Sequence, residues 1–315
     1  MLTSHTARTL TLLLALSLVP AAGPATARDL SYNFRIDVDD GQRITSCSQI
    51  DMRFGEEGDR DVVTVRRDKS LVVPSPGSGP LRVRPGIKGG IRVQPSEDGG
   101  ISALVCLAAG SSSANDGDAI LDQVRIENAG GTLSLSGPDR DWAGYIVLSV
   151  PRDLTLDLSA LNGPLTLRDV TGRFTLRTTN GPISIAGTNG VVVAEAVNGP
   201  IKFTGHAGDV RLTALNGPIK VTLDDPKWSG KGLDASTQNG PVKLDAPSSL
   251  QAGVLVQGSW HSPVKVNGVK SWPSVRSNGA QSYRLGDGPV IVRISTVNGP
   301  LEFRGPRVST GPAEI

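Results

Sequence analysis

The sequence predicts an all-β fold: a single-stranded β-solenoid (β-helix or β-roll) of two-strand coils about 18 residues long, with an irregular β-rich N-terminal part. Three observations point there. Asn-Gly-Pro appears four times running at a spacing of 18 residues. Apolar and polar residues alternate on both sides of each copy, which is the period of strands. No segment carries a convincing period of 3.6. The composition agrees, with 38 Gly and 22 Pro in 315 residues and only 4% aromatics, as suits many short strands and turns. A net charge of +2 with 20% charged residues gives no reason to expect nucleic acid as a partner.

Residues 1–27 read as an export signal. Arg8 supplies a small positive region, Leu10 to Val19 the apolar run, and Ala25-Thr26-Ala27 a small-residue cleavage pattern. The run is too short for a transmembrane anchor, and no later stretch could span a membrane. The expected location is therefore the periplasm or the cell surface. Two cysteines remain, Cys47 and Cys106. An even count in an oxidising compartment suggests a disulfide, with two buried free thiols as the alternative. No cofactor or metal is expected, because two Cys with His206 and His261 fall short of a zinc ligand set.

Residues 28–152 form the irregular part. Short alternating runs such as Ser31 to Val38, Leu81 to Val83, Ile91 to Val93, Ile101 to Leu107 and Tyr145 to Val150 read as strands. The segment Ser111 to Asp118 reads as a polar break between them.

Residues 153–304 carry the repeat. Its corners are Asn162-Gly163, Asn180-Gly181, Asn198-Gly199 and Asn216-Gly217, then Asn239-Gly240 after 23 residues and Asn298-Gly299 near the end, each followed by Pro. Six and four residues before each Asn, and three and five after it, the first five copies are apolar: Leu156, Leu158, Leu165 and Leu167 in the first, Phe174, Leu176, Ile183 and Ile185 in the second. Residues between them are mostly polar. Each coil thus has two strands with one face inward, and a second turn follows near Gly172, Gly190 and Gly208. Coils that cannot bury their inner face alone must stack. Antiparallel hairpins are the competing reading, since Asn-Gly is also a hairpin signal. At the corner, Asn and Gly tolerate left-handed geometry and Pro fixes its own φ. The Asn side chains either serve that geometry alone or also bond coil to coil as an amide ladder.

Beyond Leu223 the regularity loosens. Asp224 to Lys231 looks like a five-residue insertion, and His261-Ser262-Pro263 stands where Asn-Gly-Pro would. Val290 to Arg304 restores the pattern, with Val292, Ile294, Leu301 and Phe303 inward. Residues 305–315 read as a frayed tail.

A signal segment, an irregular β part and coils of the form apolar-x-apolar-x-x-x-Asn-Gly-Pro-apolar-x-apolar together resemble the bacterial putative-adhesin family of unknown function. Gly90-Ile91-Arg92-Val93 resembles that family's opening strand. The resemblance spans most of residues 89–304. It implies an envelope or surface protein with a β-solenoid and brings no catalytic residues; the signal, the repeat and the missing catalytic set point to a non-enzymatic scaffold or binding surface.

The residues themselves give no convincing catalytic set. Asp224 and Asp225 share a turn, and a carboxylate cluster of a polysaccharide-acting β-helix enzyme is the alternative there. The segment Asp37 to Gly41 lacks the Glu of a calcium loop and reads as a plain turn. Trp228, Trp260 and Trp272 read as an end plug, with a sugar-stacking patch as the alternative. One surface feature suggests binding. Lys202, Lys220 and Lys243 hold the same outward position in successive coils, and Lys265 extends the row. Such a strip suits an anionic partner, envelope polysaccharide or lipid head groups, or simply solubility; another protein is the other partner expected. Coil edges that stack between chains would make the protein a self-assembling structural module instead.

Overall fold

The computed structural model describes residues 34–39, 41–55, 61–247, 250–259, 262–267, 275–277, 280–285 and 288–305. The segment 1–27 read as an export signal, Trp260, His261, Trp272 and the tail beyond 305 lie outside the described residues.

The repeats fold into strands of two lengths. Long strands Leu154–Asn162, Thr171–Asn180, Asn189–Asn198, Ala207–Asn216 and Ser229–Asn239 belong to a 12-stranded sheet. Short strands Leu165–Arg168, Ile183–Ala186, Ile201–Thr204, Ile219–Thr222 and Val242–Asp245 belong to an 11-stranded sheet. Neighbouring repeats pair in parallel and in register in both sheets, so Phe174 lies beside Val192, Val192 beside Val210, and Val210 beside Leu233. The hairpin reading is thereby excluded for this part. The two sheets share one core and neither closes on itself.

The four inward positions of each repeat are buried, among them Leu158, Leu165, Leu176 and Ile219 at 0% exposure. A fifth inward row lies two residues before each Asn: Ala160, Thr178, Ala196, Ala214, Thr237 and Thr296, all buried. Its Thr hydroxyls are satisfied locally, Thr237 Oγ1 donating to Gly217 O at 3.0 Å and Thr296 Oγ1 to Gly240 O at 2.9 Å. Small residues are needed there because the chain turns directly above.

Of the two roles read for the corner Asn, the structure shows the amide ladder and not left-handed geometry. None of the triplet asparagines has a positive φ. Their side chains form a ladder instead. Asn180 Nδ2 donates to Asn162 Oδ1 at 2.8 Å, Asn198 to Asn180 at 3.0 Å, Asn216 to Asn198 at 3.0 Å, Asn239 to Asn216 at 2.9 Å and Asn298 to Asn239 at 2.9 Å. The ladder ends where Asn162 Nδ2 meets the Ile87 carbonyl at 3.0 Å. Gly follows Asn because glycines stack on glycines: a Cβ on Gly181 would stand 2.1 Å from the Gly163 carbonyl oxygen, and one on Gly217 2.2 Å from that of Gly199. Removing one rung should be felt. Asn198→Ala deletes two amide–amide bonds at an exposed edge, an expected loss of about 1–2 kcal/mol. Thermal melts should show a midpoint lower by roughly 2–8 °C; an unshifted midpoint would leave the ladder without energetic weight.

Spatial order departs from chain order at both ends. Strands Leu81–Arg84 and Gly89–Pro95 lie directly against the first repeat, pairing Leu81 with Leu156 and Ile91 with Leu165. Strands Thr132–Ser136 and Trp142–Val150 lie outside them, also parallel. At the other end, strands Val290–Asn298 and Leu301–Arg304 slot between the fifth repeat and strands Gly253–Ser259 and Val264–Asn267. Antiparallel strands complete the series: Arg125–Ala129 on the long-strand sheet, Ser102–Ser111 and Val63–Val72 on the short-strand sheet, and Ala280–Leu285 with Val275–Ser277 at the far end.

The polar break holds a helix, Ala114–Leu121. Ser113 caps it, accepting from Asp116 N, and Leu121 is buried. Arg67 fastens it to the neighbouring strand through Asp118 at 2.9 Å and Asp122 at 2.7 Å. Two turns are too few to show a helical period, and Ser-Ser-Ser with Gly117 reads as loop.

A hairpin of Phe34–Val38 and Ile50–Phe54 covers the N-terminal end of the short-strand sheet. Ile44, Ile50, Met52 and Phe54 form a second core with Cys106, Ala143, Tyr145 and Val147. The Cys47–Cys106 disulfide is present, with Cα atoms 5.6 Å apart.

Candidate binding faces

The outward row of the short-strand sheet begins under that hairpin. Arg92 stands beside Thr166 in the register and is wholly buried, its guanidinium donating to the carbonyls of Asp39 at 3.2 Å and Gln42 at 2.5 Å. Thr166 pairs with Ser184, Ser184 with Lys202, Lys202 with Lys220 and Lys220 with Lys243. Three lysines on adjacent strands repel, because neighbouring side chains on one face are about 5 Å apart. Two of them are compensated: Lys220 Nζ lies 3.3 Å from Asp245, and Lys243 Nζ lies 3.9 Å from Glu302. Lys202 is exposed and makes no ion pair among the described residues.

Lys265 does not extend the row directly. Glu302 stands between Lys243 and Lys265, because Leu301–Arg304 slots between their strands. The hydrogen bond from Arg304, with desolvation opposing it and the charges of Arg304, Lys243 and Lys265 adding to it, holds the Glu302 carboxyl below its ordinary value. The basic strip is thus two patches, Lys202–Lys220–Lys243 and Lys265 with Arg304, joined across one carboxylate.

The other candidate residues make local contacts. Asp224 Oδ1 accepts from His206 Nδ1 at 2.7 Å and Asp225 Oδ1 from Lys227 N at 2.8 Å. Asp39 Oδ1 accepts from Gly41 N at 2.7 Å, as in a plain turn. Trp228 lies 6.1 Å from the Phe203 ring and donates to the Gly208 carbonyl at 3.1 Å, so it packs the core. Among the described residues no group of three His, Cys, Asp or Glu could hold a metal, and no helix is long and apolar enough to cross a membrane.

The long-strand sheet carries a feature that motif reasoning missed. A groove of about 1100 Å³ runs across it, lined by three consecutive positions of each of six strands and by Ser159 and Ala160 of Leu154–Asn162. The middle position is the small fifth row just below the corner. Its signal was legible, since Ala or Thr recurs two residues before every Asn, but alternation of Ala with Thr hides it from a purely apolar pattern.

No protein-family model matches the chain, and no curated protein matches it. Solved structures share a remote likeness. A putative adhesin from Bacteroides fragilis is 14% identical with a TM-score of 0.37, covering 79% of this chain and 100% of its own. A putative cell adhesion protein from Clostridium sporogenes is 10% identical with a TM-score of 0.27, covering 77% and 100%. A putative lipid binding protein from Parabacteroides distasonis is 8% identical with a TM-score of 0.26, covering 76% and 96%.

Proposed function

We propose that the protein is an exported, adhesin-like scaffold of the cell envelope, non-enzymatic, in which residues 153–304 form a β-solenoid that presents rows of side chains to an extended anionic polymer such as envelope polysaccharide. The observation that carries this reading is the stacking of Lys202, Lys220 and Lys243 on adjacent parallel strands. The same outward position is uncharged at Ser184, one repeat earlier, so the strand itself does not require lysine there. Asp245 and Glu302 lower the cost of the stack without cancelling it, since Lys202, Lys265 and Arg304 leave the face positive.

The test compares wild type with the triple variant Lys202→Glu, Lys220→Glu, Lys243→Glu in binding soluble polygalacturonate. Reversing three charges is expected to weaken binding by about tenfold or more, with wild-type affinity falling as salt rises. Circular dichroism checks that the variant folds. Equal affinity of the two proteins would remove the basic row from the account.

A further inference from the structure

We infer that the groove on the long-strand sheet is a second binding site, for an uncharged linear polysaccharide lying across the strands along the stacking direction. Its dimensions suit a single chain. Seven strands contribute, from Ser159 at one end through Gln257 and Ser295 at the other. At the usual strand spacing that is about 29 Å of length. A volume of about 1100 Å³ spread over it gives a cross-section of roughly 40 Å², close to the roughly 48 Å² of one extended strand in stacked sheets.

The lining selects the chemistry. One wall is polar along its whole length, with Ser159, Thr213, Ser236 and Ser295 three residues before the corner Asn. Its two charges, Arg177 and Glu195, neutralise each other at 3.1 Å. The opposite wall carries Val197, Leu215 and Val297, exposed at 41%, 42% and 54%, interleaved with Thr179 and Gln238. Among the described residues, the side chains of Ser159, Thr179, Thr213, Ser236, Gln238 and Ser295 have no protein hydrogen-bond partner, so their hydroxyls and amides are free for a ligand.

Three occupants can be weighed. An acyl chain would bury the polar wall without partners, which costs free energy at each group. A peptide crossing the strands finds the backbone groups of the floor already used in the parallel ladder, so it gains none of the main-chain bonds that give strand addition its affinity. A neutral glycan meets both walls, with hydroxyl edges toward the Ser/Thr side and C–H faces toward Val197 and Leu215. Its units recur along one axis, as the lining does. Without aromatics in the lining, each sugar contributes little, so affinity must come from many units held at once.

Isothermal titration of the full chain with dextran, soluble β-1,3-glucan and cello-oligosaccharides of two to seven units tests this. At least one glycan series is expected to bind, more tightly with length up to the span of the groove. Thr213→Arg with Leu215→Arg puts long side chains on both walls of one repeat, at outward positions that leave the core intact. It should weaken binding tenfold or more with an unchanged circular dichroism spectrum. The Lys202, Lys220 and Lys243 triple variant, altered on the opposite sheet, should bind the neutral glycan as wild type does, which separates this site from the basic row. Failure of all three glycan classes to bind, binding unaffected by the double Arg variant, or tighter binding of palmitate or of an uncharged peptide would each overturn the assignment.

Discussion

Gly199→Ala is expected to be among the most damaging single-methyl changes in the chain. The new Cβ would stand 2.1 Å from the Gly181 carbonyl oxygen and 2.7 Å from its carbon, far inside van der Waals contact. Flexible side chains yield to such a clash, but here both sides are backbone. Gly181 sits over Gly163 and Gly217 over Gly199 in the same way, so a shift of one repeat must be passed to the next. Gly199 does not have a positive φ, which removes local conformational strain as an explanation. What glycine supplies at this corner is the absence of a side chain where two neighbouring repeats touch. The cost should reach the upper end of overpacking, about 3 kcal/mol or more, and lower the melting midpoint by roughly 6–12 °C. Gly79→Ala is the control, because nothing lies within 4 Å of a Cβ there; its change should stay within about 0.5 kcal/mol. Denaturant unfolding of both variants decides it, and equal stability of the two would refute the stacking account.

The same column of glycines explains which parts of the fold were legible in the sequence. The four apolar positions around each Asn-Gly-Pro could be read directly, because parallel in-register stacking puts every repeat in the same environment. The order of units at the ends could not. Val290–Arg304 displaces the segment that precedes it in sequence because its corner is intact: Asn298 continues the amide ladder to Asn239 at 2.9 Å, and a Cβ on Gly299 would stand 2.1 Å from the Gly240 carbonyl. Gly253–Asn267 has Ser262 in its corner and takes the outer place. At the other end, Gly89 fills the corner glycine position under Gly163, and Gly144 lies under Gly89, though neither follows an Asn. Corner compatibility, not chain order, chose the neighbours, and no period of 18 contains that information. The groove escaped for a related reason. It is built from what lies beside the repeat's apolar positions, small residues and unpaired hydroxyls, which have no periodic hydrophobic signal. The basic row was visible as three aligned lysines. Its interruption by Glu302 was not, because that depends on the out-of-order insertion.

Breaking the disulfide should produce the second large effect, and a local one. Cys47 and Cys106 are 59 residues apart, and in the chain-entropy model a loop of that length is worth about 4 kcal/mol. The hairpin it fastens has a small core, with Ile44, Ile50, Met52 and Phe54 against the outer face of the short-strand sheet. A two-stranded hairpin has little stability of its own, so most of its anchoring comes from that patch and the covalent link. The hairpin in turn serves the sheet. It closes over Arg92, which has 0% exposure, and the Asp39 and Gln42 carbonyls accept from its guanidinium. Without the hairpin, water must replace those carbonyls and the apolar surface of Tyr145 and Val147 is uncovered. In the double variant Cys47→Ser, Cys106→Ser, hydrogen exchange should accelerate most at 34–54, next at the strands Gly89–Pro95, Ser102–Ser111 and Trp142–Val150 beneath it, and least at 171–222, where each strand has a parallel neighbour on both sides. That gradient distinguishes a clamp from a general stabiliser. Uniform acceleration along the chain would mean that the bond acts on the whole unfolded state alone. Unchanged exchange at 34–54 would mean that the apolar patch holds the hairpin without help, and that the buried Arg92 depends on packing rather than on the covalent tie.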